Sequence, residues 1–386
     1  MPTGKWSDDV FLDSLRQVGD PPADAAVRGL LEDGGARAVG TIFGMLKAND
    51  TPLPADAPQP LRDFMAASPG LPPGLELERL RRGGQAFLQN ALPAVVVLLA
   101  SSLPRGYAAP CLCEILSISG DLERHPFRRL MGVVQLLVDV SDADAFRPDG
   151  RAIVTARKLR LLHAGIRAIA AQCRPHYQRS FGVPVNHEDR LATIMAFSSL
   201  VVEGLQALHL GLAARDAEDF YLLWRTFALL MGIHPEGQPH DESFVPATLQ
   251  EAAEFYRSYV RRNNTMPDRN PYGVTLTRHN LDMMQRMLPP FPRLPGLGYA
   301  PRILMTQLLK PEELARVGCA PLPGHGLLKA GLALALRLGQ LFGEREPFAA
   351  QLSRLLLQGM VDVDRHGRVS FSVPFTRLDL NGPAFE

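Results

Sequence analysis

Apolar residues recur every three or four positions along most of the chain, which is the periodicity of amphipathic helices. Many of these segments are bounded by Asp, Pro or Gly, the residue types that begin and end helices. In DPPADAAVRGLLEDGG, prolines stand near the start and glycines follow the end. The pattern predicts helices at about 7–17, 22–33, 36–48, 59–67, 84–102, 108–119, 123–141, 151–173, 187–211, 215–232, 244–262, 277–288, 300–308, 311–317, 326–343 and 346–360.

Other patterns along the chain are few. No strand-like run is followed by GxGxxG, so a Rossmann domain is disfavoured, and GxxxxGK[ST], HExxH and CxxCH motifs do not occur. Proline-rich loops lie at 51–60, 68–74 and 288–298, and none is long enough to require separate domains. The tail at 360–375 alternates around a His-Gly turn. We therefore expect one large all-α domain over residues 1–386, with a possible small C-terminal β-hairpin.

Composition and charge describe an ordinary globular chain. Of 386 residues, 46% are hydrophobic and 21% are charged, which is enough for a sizeable core. Lys and Arg number 41 against 40 for Asp and Glu, a net charge of +1. This balance gives no support to a nucleic-acid partner or to a polybasic membrane anchor.

The longest uncharged stretch, Gly83–Pro104, is the one candidate for membrane contact. It contains Gln85, Gln89, Asn90 and Pro93, and its dense apolar part is only ALPAVVVLLA. Since about 20 mostly apolar residues are needed to cross a bilayer, this stretch favours a buried helix and no integral span. The first residues have no apolar signal-peptide region, so the expected compartment is the cytoplasm.

The four cysteines, Cys111, Cys113, Cys173 and Cys319, do not have the spacing of a zinc site. The sequence therefore indicates reduced thiols in a helical core, as in proteins of a reducing compartment.

The stretch ARKLRLLHAGIRAIA places a histidine in an apolar helix between two arginines. Arg160, His163 and Arg167 stand at i−3, i and i+4, so they share one helix face. Buried arginines need anionic partners. Nearby acids could supply them, with His163 a hydrogen-bonded core residue. Alternatively a non-covalent haem satisfies all three residues, because imidazole ligates iron and arginine binds propionates.

Five stretches occur in this order along the chain: DDVFLDSLRQVGDPPADAAV, SSLPRGYAAP, FRRLMGVVQLLVDV, ARKLRLLHAGIR and FGVPVNHEDRLATIMAFSSLVVEGL. Together they resemble the latex clearing protein family of b-type haem rubber oxygenases, which is grouped with fungal oxygenases that cleave terpenoid side chains. The resemblance covers most of residues 6–340. It implies an all-α fold with a globin-like core around haem b. It also implies dioxygen-dependent cleavage of an isoprenoid carbon–carbon double bond.

The resemblance also assigns site residues. His163 matches the proximal iron ligand, and Arg167 matches the arginine one turn later that lies close to the haem. Arg129 matches the conserved arginine of the distal-side helix, and Glu114 stands at the loosely matched acidic distal position. Thr193 falls on the threonine of the family motif G-P-I-N-Q-E-D-L…T…F. The expected catalytic residues are therefore Arg129 and Glu114, and the expected cofactor contacts are His163, Arg160, Arg167, Val133 and Thr193.

Three departures from the family pattern bear on activity. Rubber-cleaving members carry lysine and threonine where this chain has Gly132 and Val133, so a distal amine and hydroxyl are missing. His187 replaces the usual glutamine at a helix start, where a capping or surface role is expected.

These departures leave two classes of function open. The chain is either an oxygenase of a small unsaturated isoprenoid or lipid, or a non-catalytic haem protein or homologue that has lost haem.

Overall fold

The structure is a computed structural model that describes residues 4–45, 52–67, 71–119, 126–287 and 299–320, together with Gly326. Within these residues the regular elements are helical and no strand occurs, so the all-α prediction is confirmed. The helices are α1 Asp9–Arg16, α2 Pro21–Met45, α3 Gln59–Ala66, α4 Leu77–Gln89, α5 Ala91–Val97, α6 Leu103–Tyr107, α7 Pro110–Ser119, α8 Pro126–Ser141, α9 Arg151–Cys173, α10 Tyr177–Phe181, α11 His187–Phe197, α12 Ser199–Ala207, α13 Ala214–Leu230, α14 Leu249–Asn263, α15 Pro271–Met287, α16 Ala300–Leu308 and α17 Pro311–Arg316.

Two segments that were each predicted as one continuous helix are each divided into separate helices, so those two predictions were wrong. The helix predicted at 84–102 stops at Asn90, where α4 and the following helix are bent by 79°. Pro93 has no N–H for a helical bond to the Gln89 carbonyl, which favours this break. The helix predicted at 187–211 stops at Ser198, whose φ of −117° and ψ of −91° are not helical. The helices predicted at 326–343 and 346–360, and the hairpin at 360–375, lie outside the described residues.

Two apolar clusters meet along α9. The larger cluster contains buried side chains from Trp6 to Leu308 and includes the fully buried Trp224. The smaller cluster joins α2, α3 and α9 through residues such as Leu61 and Leu161. Burying each side chain of this size contributes about 1.5–3 kcal/mol. The histidine helix α9 therefore lies between both clusters, and its orientation is fixed from two sides.

Adjacent glycines in α4 allow the closest helix packing near the core. A Cβ atom at Gly83 would lie 2.3 Å from the Asp219 carbonyl oxygen on α13. A Cβ at Gly84 would lie 2.5 Å from the Ser141 carbonyl oxygen at the end of α8. Neither position has room for a side chain, because both neighbouring atoms belong to the backbone. The glycines thus let α4 contact two helices at backbone distance.

A π-helical turn, Leu98–Ser102, lies between α5 and α6. The Leu103 N–H donates to the Leu98 carbonyl oxygen, five residues earlier. The amide nitrogen Nδ2 of Asn280 on α15 donates to the Leu99 carbonyl oxygen at 2.7 Å. An α-helix would pair each carbonyl with the N–H four residues later, so Asn280 supplies a donor to a carbonyl that this turn displaces.

No single helix within the described ranges is long and apolar enough to cross a membrane. The bent pair Leu77–Gln89 and Ala91–Tyr107 passes that test together, by length and composition.

The cysteine thiols are core groups, as the sequence predicts. All four are free, and Cys111, Cys113 and Cys319 are buried while Cys173 is half-buried. Burial raises the pKa of the Cys113 thiol to about 12, so it stays protonated at neutral pH.

Candidate functional site

His163 lies in the middle of α9, between the two apolar clusters. Leu159 packs against the larger cluster, whereas Leu162 and Ile166 pack against the smaller one. The imidazole Nδ1 is buried and has no hydrogen-bond partner among the described residues. An unpaired polar atom in an apolar setting is costly, so in the described part of the chain Nδ1 lacks the bond that the alternative prediction, a hydrogen-bonded core histidine, requires.

The surroundings keep His163 neutral. Burial lowers the pKa of His163 to about 3, and the positive charges of Arg190 and Arg167 act in the same direction. The negative charge of Asp20 acts against them. A neutral imidazole is the form that binds metal ions, because a ring nitrogen keeps its lone pair.

Arg160 has the acidic partner that the sequence left open as an alternative. Its Nε and Nη2 donate to the two carboxylate oxygens of Asp20 at 2.8 and 2.9 Å. The guanidinium carbon also lies 5.0 Å from the centre of the Phe64 ring. A two-point pair with a buried carboxylate satisfies this arginine within the protein.

Arg167 is only partly satisfied. Its Nε donates to Asp24 Oδ1 at 2.7 Å, and the residue is buried. Its terminal nitrogens Nη1 and Nη2 are buried and have no acceptor among the described residues. Unfilled guanidinium donors in a buried position match the two oxygens of a carboxylate. Arg167 therefore fits the predicted contact with a haem propionate, and Arg160 does not offer such free donors.

A third arginine, Arg190 on α11, joins this cluster and was missed in the sequence. Its Nη1 donates to the Met231 carbonyl oxygen at 2.6 Å, and its Nη2 donates to the Gly19 carbonyl oxygen at 2.8 Å. It also lies 3.5 Å from Asp20 Oδ2. The sequence signal was available, because arginine stands where the family motif has leucine, directly after N-Q-E-D.

The cluster around His163 carries an excess of positive charge. Arg160, Arg167 and Arg190 contribute three positive charges, whereas Asp20 and Asp24 contribute two negative charges. The Nε of Arg190 is also buried without an acceptor in the described part of the chain. One further anionic group would balance the charge and fill free donors.

The three distal-side residues predicted from the family, Glu114, Arg129 and Val133, differ in what the structure shows of them. The carboxylate of Glu114 lies 3.0 Å from Nε2 of the exposed His176, so its described partner is not at the histidine cluster. Val133 is half-buried and packs against the larger cluster. Arg129 lies on α8, but its side chain is outside the described part. The catalytic roles of Glu114 and Arg129 therefore stay predictions.

Thr193 is positioned by its own helix. Its hydroxyl donates to the Asp189 carbonyl oxygen, one turn earlier, at 2.9 Å. The hydroxyl proton is therefore used within α11, while the oxygen can still accept a hydrogen bond. The predicted cofactor contact of Thr193 stays a prediction.

The expected capping or surface role of His187 was wrong. The residue is only 2% exposed, and its Nδ1 is hydrogen-bonded to Arg190 Nη2. The helix cap is the preceding residue, Asn186, whose side chain accepts from the Asp189 N–H at 2.8 Å. His187 is drawn inward because its ring supplies an acceptor for a buried guanidinium.

A buried carboxylate links the helix of the distal candidates to the histidine helix. Asp139 on α8 accepts from the Thr155 hydroxyl on α9 at 2.7 Å and from the Gln135 amide at 2.7 Å. Burial raises the pKa of Asp139, and these hydrogen bonds oppose that shift. The contact holds α8, with Gly132 and Val133, in register with α9.

Two neutral histidines, the half-buried His163 and the buried His187, predict acid sensitivity of the haem-free protein. Burial lowers the pKa of His163 to about 3 and that of His187 to about 2, against 6.5 when unfolded. Below pH 6.5 the unfolded chain binds protons that the folded chain does not, so stability falls as pH falls. Each histidine should cost up to about 1.4 kcal/mol per pH unit between pH 6.5 and 5.

Urea unfolding at several pH values measures this slope. A His163→Phe variant should show a shallower slope than the wild type over the same range. Equal slopes would contradict a neutral buried imidazole.

Comparison with known proteins places this arrangement in a family context. A rubber oxygenase from Streptomyces sp. (strain K30) is 26% identical over 243 residues, covering 61% of this chain and 56% of that protein. The alignment thus spans little more than half of the relative's length. The solved structure of latex clearing protein LCP in the closed state matches with a TM-score of 0.69 and 22% identity over 90% of both chains, which shows a shared fold.

A family model provides the assignment that these pairwise comparisons support. The model described as ER-bound oxygenase mpaB/B'/Rubber oxygenase, catalytic domain, matches residues 80–337, which include α9, α11 and the whole His163 stretch. The chain therefore belongs to the mpaB and rubber oxygenase catalytic-domain family.

Proposed function

We propose that this chain is a haem b-dependent oxygenase that cleaves a carbon–carbon double bond of an apolar, unsaturated isoprenoid with dioxygen. The observation that carries the proposal is the half-buried His163, whose Nδ1 is buried and unpaired among the described residues, one helical turn from the unfilled donors of Arg167. A metal ligand and an anion-binding group lie one helical turn apart on α9. They match the two parts of a haem that proteins bind, the iron and the propionates.

The residues present fit haem b held without covalent attachment. His163 would supply a nitrogen ligand to the iron, and the guanidinium of Arg167 would take a propionate. Apolar side chains beside them, Leu159 and Ile166 on the same helix, would exclude water from the porphyrin face. A bound haem supplies dioxygen activation, while the chain supplies orientation, polarity and a dry pocket.

The substrate class follows from family membership together with the apolar character of the site. An isoprenoid chain offers methyl and methylene surface, which buries favourably against half-buried aliphatic side chains such as Val133 and Leu136. The relative from Streptomyces is a rubber oxygenase, and its name supports polyisoprene as the first substrate to test.

Turnover by the haem-reconstituted protein tests the proposal. The protein is incubated in air with polyisoprene latex and, separately, with a short isoprenoid such as squalene. Dioxygen uptake and carbonyl products trapped as hydrazones are measured. We expect stoichiometric carbonyl formation on at least one substrate. Haem binding without any product would instead support the second candidate function.

That second candidate is a non-catalytic haem protein, and Gly132 and Val133 favour it. Neither side chain carries a nitrogen or a hydroxyl, so these positions offer no polar side chain on the distal side. The distinction between the two functions therefore rests on Arg129, for which the family resemblance predicts a catalytic role.

Arg167→Leu should weaken haem retention. Removing the unfilled guanidinium donors takes away a charge-assisted contact worth about 1.5–3 kcal/mol, equivalent to roughly a tenfold to hundredfold loss in affinity. Haem transfer to an excess of apomyoglobin measures the rate of loss.

Arg174→Leu is the matched control, because Arg174 lies at the end of the same helix and bonds the Cys173 carbonyl. It should lose haem at the wild-type rate. Normal haem retention in Arg167→Leu, combined with a large loss of haem-free stability, would mean that Arg167 serves only its ion pair with Asp24.

Gly132 and Val133 also predict an accessible sixth position in the ferric protein. With no lysine amine from α8, the haem-loaded protein should be high-spin and should bind added imidazole readily. Absorption titration measures the uptake, and Gly132→Lys provides the comparison, because a restored amine should reduce imidazole affinity. A low-spin wild-type spectrum that resists imidazole would contradict the open position.

A further inference from the structure

Arg190 ties three segments of the chain together beside His163. It is 4% exposed, and its guanidinium bonds the Gly19 carbonyl before α2, the Met231 carbonyl after α13 and His187 on its own helix. Two of these partners are backbone carbonyl groups, which cannot move away without shifting the chain. The positive charge of Arg190 is therefore fixed in place.

The carboxylate next to this charge is already occupied. Both oxygens of Asp20 accept from Arg160, and Oδ2 also lies 3.5 Å from Arg190. The side chain of Asp20 is 2% exposed, so it has little freedom to turn elsewhere. Asp20, a buried acid next to Arg190, is thus already paired with Arg160 through both of its oxygens.

His163 consequently differs from most metal-binding histidines in its outer contacts. Such histidines usually donate the second ring N–H to a carboxylate, a carbonyl or a water, and this bond makes the imidazole a stronger donor. Here Nδ1 has no partner among the described residues, and the neighbouring charge is positive.

We infer that Arg190, whose fixed charge meets Asp20 and through it Arg160 on the histidine helix, is a positioning residue that makes His163 an electron-poor ligand and raises the reduction potential of an iron bound there. This inference rests on the proposed haem function. A fixed positive charge favours the less positive ferrous state, whereas a carboxylate near the ligand favours the ferric state.

Arg190 is better suited to this role than Arg167. Arg167 has an ion pair to Asp24 at 2.7 Å, and its free donors face a propionate in the proposed complex. Arg190 has only the longer contact with Asp20, which Arg160 shares. Its charge is therefore less compensated.

The test compares the midpoint potentials of haem-loaded wild type and three variants by spectroelectrochemistry. Arg190→Gln should shift the ferrous–ferric equilibrium about tenfold toward ferric, which is a lowering of about 59 mV. Arg190→Lys keeps the charge and should restore most of the wild-type value. Asp20→Asn removes a negative charge and should raise the potential. The iron–histidine stretch in resonance Raman spectra verifies that His163 remains the ligand.

Opposite signs for the two charge removals separate an electrostatic role from a structural one, since general damage has no reason to shift the potential in opposite directions. If Arg190→Gln does not fold, Arg190→Met, which also removes the charge but keeps an unbranched side chain of similar length, takes its place in the comparison. Unchanged potentials in haem-loaded variants, or shifts of the same sign, would overturn the role of Arg190 and leave the haem proposal intact. A wild-type protein that takes up no haem would overturn both.

Discussion

We expect His163→Ala to remain folded and to lose its capacity to hold haem. The substitution removes the proposed axial nitrogen, and haem content after reconstitution should fall at least tenfold. The helix itself should tolerate the change, because alanine has the highest helix propensity and the unpaired buried Nδ1 is removed at the same time. The Soret absorbance per protein measures haem content, and far-ultraviolet circular dichroism measures helicity.

His176→Ala is the matched control for this variant. His176 is a half-exposed histidine whose Nε2 pairs with Glu114, away from the cluster around His163. It should retain wild-type haem content. If His163→Ala kept the wild-type stoichiometry and an unchanged spectrum, His163 would not be the ligand, whatever the similarity of the fold.

Arg16→Met should destabilise the fold by about 3–5 kcal/mol, the cost of removing one partner of a buried ion pair. Arg262 still contacts Glu188 at 3.2 Å, so the loss should fall at the lower end of this range. Arg16 pairs with Glu188 at 2.6 Å and with Asp189 at 3.4 Å, and the Glu188 side chain is fully buried. Its Nε and Nη2 also donate to the Phe181 carbonyl. Burial already raises the pKa of Glu188, and Arg16 opposes that shift. Urea unfolding of the haem-free protein measures the loss.

Arg261→Met gives the surface comparison. Its ion pair with Asp9 joins side chains that are 57% and 49% exposed, so its loss should destabilise the fold much less than Arg16→Met does. In the double variant Arg16→Met with Glu188→Met, part of the stability should return, because the buried carboxylate that lost one of its two arginines is gone. A loss in Arg16→Met no larger than that in Arg261→Met would contradict the role of Arg16, because it would mean that Arg262 or water already compensates Glu188.

Helix periodicity and capping residues were enough to predict the class of fold and most helix positions. They failed at Asn90 and Ser198, where apolar periodicity continues across a break. At Asn90 a bend of 79° separates α4, whose last turns contain the buried Ala86, Phe87 and Leu88, from a following helix that is largely buried. Periodicity reports which face is apolar, and it does not report a change of axis direction when both sides of the bend are buried.

The residues of the site on α9 were predictable from the sequence, whereas the acids that pair with them were not. Three residues on one helix face, Arg160, His163 and Arg167, follow from spacing alone. Their acids, Asp20 and Asp24, lie 140 and 143 positions earlier in the chain, and only tertiary packing brings them to α9. Sequence therefore left open whether acids or a cofactor satisfy the arginines. In the structure both arginines pair with an acid, and the terminal nitrogens of Arg167 are left without an acceptor among the described residues.

The π turn at Leu98–Ser102 changes the phase of the helix that follows it. One additional residue rotates the next segment by about 100° relative to a continuous α-helix. In this phase Arg105 points inward, where it pairs with Glu203 and Glu313. A relative whose helix is regular here will align correctly only if one gap is placed within the turn. Without that gap, every residue of α6 will be compared with its neighbour on the wrong helix face.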